Sequence, residues 1–464
     1  MQADLVTPPP AAANASPSVL DEAVARASVT RAVAVDAGAI ARLPSMFAAL
    51  GHTGACRIVA DPNTLDAAGL RTLVVLREAG FTCAEPVVLD ETPRLKPYAR
   101  TARELGERLK ESAAMPIAVG AGVINDLTKF AASMAGLPYA CVATAASMDG
   151  YAASGAALLD DGFKRTLDCA PPVAIVADLD VLARAPARMT AWGYGDLSGK
   201  VIAGADWILA DAVGEEALAA RPFALVQDNI RGWLHASGVA GSQGVEALRG
   251  LTSGLLVSGF AMQAHGNSRP ASGSDHQIAH VWEMERLMVA GEPAAHGACV
   301  GVGTVAMLAM YEWFLAQDVA AAVAAANRAG APDVARIDAE LQASFAEPSL
   351  LASARGEVAA KLARAGRRPA RLVALGAAWP ALRDRLRTTL VPATTMEAWL
   401  AACGAASHPA DLGVSSGKLA GDYRRARLIR RRYTLLDCLE DLGWLDTAID
   451  ALFAADGFWG QRAR

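Results

Sequence analysis

Two histidines four residues apart, His276 and His280 in Ser274-Asp275-His276-Gln277-Ile278-Ala279-His280, fall on one face of a predicted helix. His296 follows in Ala295-His296-Gly297, and Asp196 stands upstream in Gly195-Asp196-Leu197-Ser198-Gly199-Lys200 at the head of another predicted helix. Imidazoles and a carboxylate that converge with one position left open form a catalytic site for a divalent ion. A lone histidine more simply lines or caps a helix. The helical pair together with two residues at predicted helix starts or turns favours the ion.

A second constellation is Gly120-Ala121-Gly122-Val123-Ile124-Asn125-Asp126-Leu127-Thr128-Lys129, which follows an apolar run and opens a helix. Its glycines let backbone approach a pyrophosphate, and the helix start offers free N–H groups at the positive end of the dipole. Asn125 replaces the third glycine of the dinucleotide fingerprint, so by itself the segment reads equally as an ordinary strand-to-helix turn. Thr144-Ala145-Ala146-Ser147-Met148-Asp149-Gly150-Tyr151 also follows an apolar run. Its hydroxyls suit a cofactor and Asp149 suits a substrate hydroxyl, while the plain alternative is an Asp-Gly turn.

These residues need a scaffold. From about Ser28 to Pro186, β-rich runs alternate with helical segments, the pattern of a parallel α/β unit, with strands predicted at 56–60, 86–89, 116–119, 139–142 and 173–177. Turn or cap residues follow each run, and loops at the carboxyl ends of such strands bind ligands. Beyond Pro186 the chain becomes Ala- and Leu-rich helix, for example 197–212, 244–264 and 316–326, with further helices over 421–458. The expected organisation is a flexible leader (1–28), a Rossmann-like α/β domain with a parallel sheet (29–187) and an all-α helical domain (188–464).

The 464 residues are 53 % hydrophobic and 20 % charged, with 43 basic against 48 acidic side chains and a formal charge of −5. That length supplies proper cores and excludes a disulfide-stapled scaffold. The charge balance gives no driving force for coating nucleic acid or an anionic membrane. Arg424, Arg425, Arg427, Arg430, Arg431 and Arg432 form a local exception. The run reads as a solvated helix face, with an anion or phosphate site as the alternative. Stretches free of charge, 130–148, 250–268 and 293–311, are interrupted by Gly, Pro, Ser, Thr or His, so no membrane-spanning helix is expected. The segment through Pro8-Pro9-Pro10 lacks the parts of a secretory signal. Seven cysteines without a CxxC pair point to reduced thiols in a cytoplasmic protein.

The glycine loop with its Asp126 and Lys129, the 144–150 segment, Gly195-Asp196-Leu197, the run from Ala271 through His276 and His280 to Met284, and His296-Gly297 before Val300-Gly301 resemble the sn-glycerol-1-phosphate dehydrogenases, especially their bacterial branch. That family lies in the iron-containing alcohol dehydrogenase superfamily with glycerol dehydrogenase and dehydroquinate synthase, and the resemblance runs from about Arg31 to Phe453. It implies Asp196, His276 and His296 as metal ligands, His280 and Asp149 as catalytic residues beside the substrate, and Gly120, Ala121, Gly122, Asp126, Thr144 and Ser147 at the dinucleotide. Asp61 resembles the acidic residue that bonds a ribose hydroxyl and favours NAD over NADP. Three departures stand out: Ala121 for a glycine, Asp275 for a glutamate, and Ala153 for a cofactor-contacting serine.

The resemblance implies reversible, NAD(P)H-linked reduction of dihydroxyacetone phosphate to sn-glycerol-1-phosphate by a cytoplasmic homodimer. The ion would be zinc first, with nickel or iron also compatible. A phosphorylated triose would be its small-molecule partner, with no nucleic acid and no membrane insertion. A polyol dehydrogenase, a dehydroquinate synthase-like cyclase and a catalytically silent binding protein stay open as alternatives. The cyclases use glutamate as the carboxylate ligand, so Asp196 favours a dehydrogenase.

Overall fold

The computed structural model describes residues 18–91, 95–160, 163–240, 244–329 and 334–462. Strands β1 (Ala32–Asp36), β2 (Cys56–Ala60), β3 (Cys83–Val88), β4 (Met115–Gly120), β5 (Ala140–Ala143) and β8 (Ala174–Asp178) form one sheet in the order β1-β8-β5-β4-β2-β3. Every pairing in it is parallel. Strands β6 (Ala156–Asp160) and β7 (Phe163–Leu167) make a separate antiparallel hairpin. The helices that matter below are α1 (Gly122–Ala135), α2 (Ala187–Ala212), α3 (Val245–His265), α4 (Ser274–Met284), α5 (His296–Leu315) and α6 (Ser416–Leu428).

Successive strand residues point to opposite faces of the sheet. Ala118, Cys141 and Ile175 join the core shared with the helical half, while Ile117, Val142 and Val176 join a second core on the other face. Burial on both faces explains why β4, β5 and β8 read as unbroken apolar runs. After β8 the chain is helical except for a two-residue ladder, Met288–Val289 with Glu292–Pro293. The α/β plus all-helical architecture expected from the pattern is present.

Several local expectations differ. Residues 1–17 of the expected leader lie outside the described residues. Val19–Ala25 of that leader is a helix closed by a capping box from Ser18, and Ala23 and Ala27 are buried against the core. Strand β1 and the hairpin were not anticipated. β1 is a half-buried edge, and Ala-Ala-Leu-Leu in β6 favours helix by intrinsic preference. The helix expected over 316–326 is present but begins only at Val319, because α5 stops at Leu315 and the side chain of Asp318 caps the next helix through the N–H of Ala321.

Among the described residues, α5 is the one helix long and apolar enough to cross a membrane, and it is buried inside the protein. It packs along α2 through small residues. A Cβ at Gly195 would sit 2.1 Å from the carbonyl oxygen of Gly297, and one at Gly297 would sit 1.8 Å from that of Trp192. No side chain fits there. Gly297→Ala should therefore force the two helices apart at a cost of about 1–3 kcal/mol or more. Chemical denaturation checks this, and an unchanged midpoint would contradict the contact.

Candidate active site

The close approach of α2 and α5 places Asp196 and His296 side by side, and α4 completes the group. Asp206, buried on α2, accepts hydrogen bonds from the Ser274 N–H at 2.7 Å, the Tyr311 hydroxyl at 2.7 Å and the Leu435 N–H at 2.9 Å. One carboxylate thereby fixes the start of α4, the body of α5 and the helix after α6. The start of α4 then delivers His276.

Asp196 Oδ1 lies 3.6 Å from His276 Nε2 and 4.0 Å from His296 Nε2. One ligand atom from each of these residues falls within 4.8 Å of the others. The opposite ring nitrogens are tied down: His276 Nδ1 is 2.6 Å from Asp275, and His296 Nδ1 is 2.7 Å from Glu283. Carboxylates behind imidazoles orient the rings and raise their basicity, as metal ligands require. The donor set fits a divalent ion.

Glu283 uses its other oxygen on His280 Nδ1 at 2.9 Å. An ionised carboxylate only accepts, so each imidazole carries its proton on Nδ1 and presents Nε2 toward the site. Rings of His276, His280 and His296 stand 5.3–6.1 Å apart. Burial lowers the His280 pKa to about 3, against the pull of Glu283. Burial also works against His276, but Asp275 and then the Asp196 hydrogen bond outweigh it and raise the pKa to about 9.

Lys200 is fully buried and bridges the two halves of the site. Its Nζ donates to Asp196 Oδ1 at 2.6 Å and sits 2.9 Å from Asp149 Oδ2. Asp149 also accepts from the Ser258 hydroxyl at 3.0 Å, and its N–H donates to Asp196 Oδ2 at 2.9 Å. Burial resists both charges, yet Asp149 and Asp196 hold the ammonium above its usual range, and Lys200 holds Asp196 well below the carboxylate range.

The loop from β5 to Asp149 leads back to the sheet. The strand order reverses between β2 and β4, the switch point where open α/β sheets bind ligands. Asp61 lies just after β2, Gly120 ends β4, and the Thr144 N–H donates to the Gly120 carbonyl at 3.2 Å. Helix α1 starts there with Ala121 at its N-cap and no side-chain cap, so its first N–H groups are open to an anion. Met148 lies against Gly122 on the same loop. That arrangement fits a dinucleotide diphosphate.

The structure thus gathers Asp196, His276, His296, His280 and Asp149, and separately Asp61, Gly120, Ala121, Gly122, Thr144 and Ser147. Two of the residues expected at the cofactor make structural bonds. Asp61 caps a turn by accepting from the Thr64 N–H at 2.9 Å, and Asp126 accepts from Ala157 of the hairpin at 3.2 Å. Ala153, where the resemblance implied a missing serine, instead offers its carbonyl to the buried Lys129 at 2.9 Å. Lys200 and Glu283 were missed as site residues. Their signals were the four-residue spacing from Asp196 and the three-residue spacing from His280.

The sequence pattern of the iron-containing alcohol dehydrogenase family matches residues 34–186. The chain is 37 % identical over 258 residues to the glycerol-1-phosphate dehydrogenase [NAD(P)+] of Bacillus velezensis, an alignment that covers 55 % of this chain and 65 % of that one, just under two thirds of the relative's length. It is 32 % identical to the protein of the same name from Methanosarcina barkeri, over 61 % of this chain and 76 % of the relative. The fold is similar to maleylacetate reductase from Agrobacterium tumefaciens, with a TM-score of 0.57 over 91 % of this chain and 96 % of that one, at 13 % identity.

Proposed function

Because the chain belongs to the glycerol-1-phosphate dehydrogenases, within the iron-containing alcohol dehydrogenases, we propose that it reduces dihydroxyacetone phosphate reversibly to sn-glycerol-1-phosphate with NADH or NADPH. The observation that carries this reading is the single loop, Thr144 to Asp149, that joins an uncapped helix start at the switch point to the Asp196, His276 and His296 donor set. We assign the ion as zinc, with nickel or iron compatible with the same donors, and the protein as a cytoplasmic homodimer. NAD is the expected preference, from the carboxylate at Asp61.

A divalent ion there supplies Lewis acidity at the ketone oxygen, and the reduced nicotinamide supplies the hydride. Asp196, His276 and His296 hold the ion, and Asp275 and Glu283 fix the two imidazoles in the ligating orientation. Gly120, Ala121, Gly122, Asp126, Thr144 and Ser147 hold the dinucleotide, with Asp61 at its ribose. His280 takes the alcohol proton on Nε2 in the oxidative direction and returns it in the reductive one, a step that Glu283 supports through Nδ1. Asp149, held by Lys200 and Ser258, positions the substrate hydroxyl that leads this proton outward.

The test is NADH oxidation by metal-replete protein with dihydroxyacetone phosphate beside unphosphorylated dihydroxyacetone, with chiral analysis of the product. Phosphate-dependent turnover to the sn-1 isomer is expected. Activity confined to the unphosphorylated ketone, or none on either, would overturn the proposal.

A further inference from the structure

Arg424, Arg425, Arg427 and Arg431 of the basic run are spent on pairs with Asp446, Glu285, Glu340 and Glu357, and so tie helices together. Lys129, in the segment that opens α1, is a different kind of cation. It is fully buried, and an ammonium has three hydrogens to donate. Backbone carbonyls take all three: those of Gly150 at 2.8 Å, Ala153 at 2.9 Å and Gly155 at 3.0 Å from Nζ. Asp126, one turn earlier on α1, lies 3.7 Å away and balances the charge.

A charge taken out of water is costly unless it is paired and its hydrogen bonds are made, and here both conditions are met. What results is a rigid joint, because three carbonyls of the stretch 150–155 converge on one atom. Lys129 stands about 10 Å along α1 from Gly122, where that helix opens toward the dinucleotide. The stretch it holds begins at the residue after Asp149, the side chain set beside the substrate hydroxyl. Met148 Sδ accepts from the Gly150 N–H at 2.8 Å, and Met148 itself lies against Gly122. Both peptide groups of Gly150 are therefore held toward the cofactor side.

The opposite side of the stretch belongs to the helical half. Gln263 of α3 donates to the Ala152 carbonyl, and Ser258 of α3 donates to Asp149 at 3.0 Å. A Cβ at Gly259, between them, would sit 2.7 Å from the Asp149 carbonyl oxygen. Residues 149–155 thus run between the helix that opens at the dinucleotide and the helix that backs the substrate group. Neither helix can shift here without disturbing the bonds to Lys129.

We infer that Lys129 is a positioning residue for hydride transfer, which sets the separation of cofactor and substrate by fixing residues 150–155 to α1. Fully buried and with every donor used, it has none left for either ligand. The reaction it serves rests on the dehydrogenase reading, whereas the coupling of the dinucleotide helix to this stretch does not.

The experiment follows hydrogen–deuterium exchange of residues 147–157 in the full-length, metal-replete protein with and without saturating NADH, for wild type, Lys129→Arg and Lys129→Gln, beside steady-state kinetics. Lys129→Met would strand three carbonyls, whereas arginine and glutamine keep donors and change their reach. NADH should slow exchange across the wild-type stretch by about 10-fold, an ordinary size for coupling between two sites. The variants should still bind NADH and lose that slowing. Their kcat should fall by about 100-fold, the cost of misplacing reacting groups by about 1 Å, with little change in KM for NADH. The isotope effect from NADH deuterated at the transferred position should rise as hydride transfer becomes limiting. A lysine that only stabilised the fold would lower the melting temperature and leave kcat and isotope effect of the folded variants at wild-type values. That result, or no slowing by NADH in wild type, would overturn the inference, and the wild-type comparison needs no variant to fold. Slowing that depends on Lys129, in a protein that turns over neither ketone, would uphold the joint and sink the dehydrogenase reading.

Discussion

His276→Ala should lose the bound cation and ketone reduction together, with turnover down by about 10³-fold or more. The magnitude follows from what the site does: a charge placed where the alkoxide develops is usually the largest single contribution to catalysis, and loss of even one such donor costs about 10²–10³. In the proposed site His276 is one of three donors, its Nε2 lying 3.6 Å from Asp196 Oδ1. Its removal leaves Asp196 and His296 to hold the ion alone, short of the protein donors that catalytic sites retain.

The neighbouring substitution Asp275→Asn separates ligation from orientation. It keeps His276 in place and weakens only the bond to Nδ1, now 2.6 Å from the carboxylate. Changes behind a ligand typically cost 10- to 100-fold in affinity, so this variant should recover activity when the metal concentration is raised. Elemental analysis and activity measured across a metal titration distinguish the two. Full metal content in His276→Ala would remove that residue from the ligand set.

The contrast between these residues shows what was legible in the sequence. His276 and His280 announce themselves because both lie on α4, where four-residue spacing fixes a common face whatever the rest of the fold does. The glycine loop is visible for the same local reason. Glu283 and Lys200 carry equally regular spacing, yet a charged residue three or four places from a partner on a helix is most often a solvent-exposed pair. Their meaning depends on burial, and burial of Lys200 follows from the packing of α2 among its neighbours. Strand β1 is obscure because an edge with one partner buries too little to leave a pattern.

Lys200→Met should destabilise the metal-free protein by about 3–5 kcal/mol, the usual result of removing one member of a buried ion pair. Asp196 and Asp149 are then left with no cation between them, although Lys200 now stands 2.6 and 2.9 Å from their oxygens. The metal reverses part of this. A divalent ion competes with Lys200 for Asp196 Oδ1, so without the lysine the ion meets an uncompensated carboxylate and one positive charge fewer. Metal should therefore raise the stability of Lys200→Met by more than it raises that of wild type, because at a fixed concentration a ligand stabilises a fold more the tighter it binds, with the logarithm of its affinity. Turnover should still fall, since Asp149 loses the contact that sets its position. Adding Asp149→Asn to Lys200→Met removes one of the two stranded charges and should restore part of the metal-free stability, a coupling that denaturation of the single and double variants measures directly. Equal metal-induced stabilisation of wild type and Lys200→Met would show that the lysine and the cation do not share Asp196.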